Sequence, residues 1–133
     1  MAQAGTALHR LDPRQWIVVP FNNVTRAGDV DWLRDASVNL LTMEIGRWTD
    51  VQVVNDKRVG DLLRELPAER RGQALTLSDG LQLARREGAG ILVMGDFVKL
   101  GRGVRLSANV FDVRTGNRVR TAEHRLGDAD SLL

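Results

Sequence analysis

The chain of 133 residues contains neither cysteine nor tyrosine. Disulfides, thiolate nucleophiles and cysteine metal ligands are excluded, and a chain without cysteine suits a reducing or an oxidising compartment equally. Imidazoles are scarce: His9 and His124 are the only two. The sequence has no Gly-x-Ser-x-Gly elbow, no P-loop and no His-Glu-x-x-His zinc motif. Little remains for acyl transfer, nucleotide hydrolysis or zinc chemistry, so the expectation is a non-enzyme that needs no cofactor and no metal. Long apolar runs are also missing, and none approaches the ~20 residues of a membrane span. Residues 1–15 lack the apolar stretch of a signal peptide, although Ala2-Gln3-Ala4 resembles a cleavage site. A cytoplasmic segment and a segment lying downstream of a signal or anchor both stay open.

Charge of one sign is lacking too. The net charge is only +2. The isoelectric point near 9.9 reflects what titrates rather than an excess of cations: Lys57 and Lys99 are the only lysines, and 17 of the 19 basic residues are arginine. The distribution is less even. Between Lys99 and Arg125, seven basic residues (Lys99, Arg102, Arg105, Arg114, Arg118, Arg120, Arg125) face only Asp112 and Glu123. That makes a basic hairpin face, which could meet nucleic acid or an acidic partner. It could equally be a solvated edge whose charge discourages strand association.

What is present is an alternation of strand and helix patterns. Trp16 to Phe21 and Ile91 to Val98 are nearly unbroken apolar runs of strand length, the signature of strands buried on both faces. Between them lie a helix from Asp29 or Asp31 to Trp48, a short strand over Val51–Val54, a helix capped by Asn55 or Asp56 and stopped at Pro67, and a helix opened by Thr76 or Ser78 and closed at Gly88. Asp29 suits a helix cap. A third strand spans about 90–100, and Gly101-Arg102-Gly103 turns into a fourth. In it Val104, Leu106, Ala108 and Val110 alternate with Arg105, Ser107 and Asn109. A turn with Gly116 at positive φ leads to a fifth strand over about 118–125. The architecture this predicts is a three-layer α/β domain with a five-stranded mixed sheet in order 2-1-3-4-5. Its fourth strand is antiparallel, and helices cover both faces. The domain covers 15–126, after an irregular lead-in over 1–14. Residues 127–133 read as a linker or the opening of a further helix.

Right-handed crossovers then place a crevice between the carboxyl ends of strands 1 and 3. Asn22, Asn23, Thr25 and Lys99 fall beside it. With Arg102, Arg105, Arg118 and Arg120 on the hairpin, these are the candidate partner- or ligand-binding residues. For Asn22 and Asn23, bonding within the loop competes with ligand contact. Gly101-x-Gly103 precedes a strand rather than a helix, so it reads as a turn and not a phosphate cradle. Asp29-Val-Asp31 and Asp128-Ala-Asp130 read as caps rather than calcium ligands, and the sequon Asn23-Val24-Thr25 as coincidence. Trp16 is the tryptophan best placed to touch a neighbouring domain.

The segments Ile17-Val18-Val19-Pro20-Phe21-Asn22-Asn23, Gly28-Asp29, Val51–Val54, Ala84–Ala89, Ile91–Gly95, Val104–Asp112 and Thr115-Gly116 together resemble the TolB amino-terminal-like domain, related in fold to the CsgG and FlgO families. The resemblance spans about residues 15–125. It implies an anticodon-binding-like mixed sheet and a non-catalytic role in recognition or assembly. It also implies a place in larger bacterial regulatory or envelope-associated proteins, beside tetratricopeptide-repeat, kinase, cyclase or winged-helix domains, and, from the family's placement after membrane anchors, a lean toward the extracytoplasmic side. The partner it implies is a protein or a neighbouring domain. Alternative readings are a nucleic-acid module using the basic hairpin, or a small-ligand sensor at the crevice. The chain departs from the pattern at Asp35-Ala36-Ser37, where relatives often carry glycine.

Overall fold

The computed structural model describes residues 11–25, 28–48, 50–70 and 74–126. His9, the residues from 127 onward, and the side chains of Asp29 and His124 lie outside the described residues. Among the described residues six strands form one sheet: β1 (Asp12–Val18), β2 (Asn22–Asn23), β3 (Gln52–Val53), β4 (Ala89–Leu100), β5 (Gly103–Asp112) and β6 (Arg118–Leu126). Three α-helices accompany them: α1 (Leu33–Ile45), α2 (Asp56–Arg64) and α3 (Leu77–Glu87). The strand order is β3-β1-β4-β5-β6, with β2 on β4. This is the expected order with one strand added.

β1 and β4 are parallel neighbours, with Trp16 opposite Ile91, Ile17 opposite Leu92 and Val18 opposite Val93. Their apolar runs are buried on both faces, as continuous hydrophobicity requires. Ile17, Val19, Leu92 and Met94 face α2 and α3, meeting Val59, Leu62, Leu83 and Ala84. Val18, Val93 and Phe97 face α1, meeting Leu33 and Ile45. β5 runs antiparallel to both β4 and β6.

Two boundaries differ from expectation. The first strand starts at Asp12 rather than 15, and after Val18 it breaks and resumes as β2, opposite Asp96 and Phe97. Four residues advance on this side against three on β4, so the break is a one-residue bulge. It falls at Pro20, which has no N–H for a ladder. α1 begins at Leu33 with Trp32 as N-cap and no side-chain cap bond, after a 3-10 turn over Gly28–Val30. Val30 is drawn into the core, and the Asp31 carboxylate accepts from Asn23 Nδ2 at 3.4 Å instead of capping. The other helix starts follow the sequence closely. Asn55 caps α2 through Lys57 N at 2.7 Å. Thr76 and Asp79 form a reciprocal capping box on α3, and Gly88 ends it in the left-handed region at φ 76°.

Candidate protein-binding groove

The predicted crevice at the carboxyl ends of β1 and β4 is occupied by the chain itself, because β2 continues the parallel pairing there and Val24 N donates to Phe97 O at 3.0 Å. Asn22, Asn23, Thr25 and Lys99 do come together, as a bonded cluster. Asn22 Nδ2 donates to Leu75 O at 3.2 Å and Asn22 Oδ1 accepts from Leu75 N at 3.1 Å. Both ends of that amide thus hold the segment leading into α3. Thr25 Oγ1 donates to Asn23 Oδ1 at 3.2 Å and accepts from Lys99 N at 3.3 Å. Asn22 thus ties this loop to the segment before α3, and Thr25 ties it to the end of β4.

The hairpin arginines do not share one face. Residues opposite each other in adjacent strands project to the same side. Val110 pairs with Arg120, while Arg105 pairs with Arg125. A bulge between Val110 and Phe111 puts Arg118 opposite Phe111, on the side away from Arg120. Arg102 is exposed in the turn. Arg105 Nε is buried without a hydrogen-bond partner among the described residues, its ion-pair carboxylate Glu123 standing 3.8 Å away. Elsewhere, Arg58 pairs with Glu87 at 2.7 Å. The hydrogen bond to Glu87, then its charge, raises the Arg58 pKa above the usual arginine range. Among the described residues no cluster of three metal-ligating side chains occurs.

The feature that sequence reasoning missed lies on the α1 side of the sheet. α1 lies over β1 and β2 and covers only part of that face. Beside it β5 and β6 form the floor of an apolar groove of about 400 Å³. Leu33, Ser37, Leu40, Leu41 and Glu44 make the helical wall; Leu106, Ala108 and Ala122 make the floor, with Phe21 at the back. Ala108 and Ala122 are direct cross-strand partners, so the floor is lowest at its middle. Exposed apolar surface continues over the helix at Leu40 and Met43, which are 40% and 58% exposed. A signal for this was present in β5: its apolar alternation calls for a covered face, yet α1 covers it only in part, burying Val104 and leaving Leu106 and Ala108 half-buried.

The backbone arrangement has solved counterparts. The LpoB C-terminal domain from Salmonella enterica matches with a TM-score of 0.65 at 14% identity, over 86% of this chain and 82% of its own. Lipoprotein GNA1162 from Neisseria meningitidis matches with a TM-score of 0.62 at 18% identity, over 86% and 80%. TolB from Acinetobacter baumannii matches at 0.46 and 16% identity, over 87% of this chain and 23% of its own. No family model and no curated protein matches.

At these identities the first two likenesses establish a shared fold. The chain shares this α/β fold, and its mixed sheet with helices on both faces is the architecture expected from the sequence.

Proposed function

We propose that this domain is a non-catalytic recognition module of a bacterial envelope-associated protein, and that it binds a protein partner through the groove beside α1. The observation that carries this reading is the mismatch on β5. Arg105, Ser107 and Asn109 are polar on one side, while Val104, Leu106, Ala108 and Val110 are apolar on the other, the α1 side, where only Val104 is fully buried. Beyond Val104, Leu106 and Ala108 of that row line the floor of a groove and are only half-buried. Soluble proteins rarely leave a contiguous apolar surface of this kind without a use for it. The extracytoplasmic placement draws on the shared fold with a protein described as a lipoprotein.

The nucleic-acid reading is weaker on physical grounds. Phosphate contacts need arginines that converge, and the register divides Arg105 and Arg118 from Arg120.

The test is site-specific photo-cross-linking in cells. A cross-linker at Leu40 or Ala122 is expected to trap protein, and one at Arg102 to trap none. Trapping at Arg102 alone, or at none of the three, would refute a groove-centred role.

A further inference from the structure

The groove has a helical wall and a floor of small side chains, a pattern that suits packing by one α-helix. Resting on the recognition reading above, we infer that its occupant is an amphipathic helix of a partner protein, with a basic residue beside Glu44.

Three observations converge on a helix. First, the layer that α1 begins is incomplete. On the opposite face two helices, α2 and α3, pack against the sheet, whereas here α1 leaves the β5–β6 half bare. Side-by-side helices on a sheet lie roughly 8–10 Å apart, so the vacant strip takes one helix next to α1. Second, the wall is spaced for helix packing. Leu33, Ser37, Leu40 and Glu44 follow one another at intervals of four, three and four, the spacing of a single helical ridge. Ser37 keeps that ridge low between Leu33 and Leu40. Third, the floor is low where a helix would be closest. Ala108 and Ala122 lie opposite each other, with Leu106 to one side, so a leucine-sized side chain from above can descend between them. A strand added at the β6 edge would extend the sheet and leave this floor uncovered.

The charge follows from the rim. Among the described residues, those charged in the groove lining are Glu44 and Glu123; Arg120, opposite Val110, projects to the same side beyond Ala122 and outside the lining. Glu123 stands at the strand edge with its carboxylate toward Arg105. Glu44 stands on the helical wall, and its partner Arg47 is 3.6 Å away across exposed surface. Such a pair contributes little and is easily exchanged. A lysine or arginine on the incoming helix therefore gains Glu44, while a glutamate there meets it as a like charge.

The experiment titrates the isotopically labelled full chain with stapled helical peptides of about 15 residues, long enough for four turns. One carries a leucine stripe flanked by lysine. A second has glutamate for lysine. A third has the first one's composition scrambled so that no stripe remains. The expected result is saturable shifts at Ser37, Leu40, Ala108 and Ala122 with the lysine peptide, about tenfold weaker binding of the glutamate peptide, and none with the scrambled one. Glu44→Lys is expected to reverse the preference. Ala122→Trp is expected to abolish binding; should that variant not fold, Leu40→Lys on the exposed wall replaces it.

Equal binding of the striped and scrambled peptides, shifts located elsewhere, or no binding would overturn the inference. So would movement of the Ala108 and Ala122 resonances on removing residues 127–133 alone, since the chain would then fill its own groove. Cross-linking at Leu40 or Ala122 without peptide binding sinks the helix and leaves the recognition role standing. Peptide binding without any cross-link in cells does the opposite.

Discussion

The Phe21 amide donates to the Ser37 hydroxyl at 3.2 Å, and that hydroxyl in turn donates to Arg34 O at 2.8 Å. Both residues are buried, and the pair closes the bulge between β1 and β2 onto α1. A bulge leaves a backbone group outside the ladder. Here the orphan N–H finds a serine from a helix rather than water. Ser37→Ala removes the acceptor and leaves a buried donor unmet, so a loss of about 1–3 kcal/mol is expected. Urea unfolding of the variant checks it; an unchanged midpoint would mean that water reaches the Phe21 amide.

Asn22 offers a way to separate a structural from a ligand-binding role. Asn22→Asp keeps the oxygen that accepts from Leu75 N but sets a carboxylate oxygen against Leu75 O, where the amide now donates. The expected outcome is a drop in stability of about 1–3 kcal/mol, similar to that of Asn22→Ala, because each leaves a partly buried backbone group without its partner. Hydrogen exchange should quicken at Leu75 and in the first turn of α3. A variant with native stability and native exchange would reopen the ligand reading of this residue.

Much of the fold was legible because its central strands carry their environment in their composition. The apolar runs around Val18 and Val93 admit only two-sided burial, and with Gly88 and the Thr76 box marking helix ends, the strand order followed from handedness. Four things were not legible. β2 consists of Asn22 and Asn23, residues whose composition says loop; it is a strand because Phe97 and Asp96 offer a ladder beside it. The start of α1 was misplaced because Asp31 bonds Asn23 rather than a helix amide. The division of the arginines depends on one extra residue in β6, and the hydrophobic pattern of that exposed strand does not specify register. The groove escaped for a related reason: an apolar alternation in β5 says that a face is covered, but not by what.

Glycine at 95 is required by a close approach of two strands. A Cβ there would overlap the Ser107 carbonyl oxygen and come within 3.0 Å of the Phe21 ring. Gly95→Ala must therefore part β4 from β5 or displace Phe21, and a loss above about 3 kcal/mol is expected. Gly101 is the control. It has φ of +61° but open space around it, so Gly101→Ala is expected to cost only about 1–2 kcal/mol of backbone strain. Thermal unfolding of the two variants side by side tests the difference; equal losses would mean that the strands slide apart without penalty.

The groove itself makes a prediction about stability that is independent of any partner. Leu40 is 40% exposed, and Ala122 is also exposed, so in the free domain neither contributes a full measure of burial. Leu40→Asp and Ala122→Glu should each change unfolding free energy by no more than about 0.5 kcal/mol, the usual range for surface substitutions. Val93→Ala, two strands away beneath α1 and 3% exposed, should cost about 2–4 kcal/mol, because it leaves a cavity in packed core. The groove variants should also be more soluble than the parent, since each sets a charge in an apolar strip. If Leu40→Asp unfolds the domain as readily as Val93→Ala does, then Leu40 is already packed in solution. The strip beside α1 would then be core, not a surface waiting for another chain.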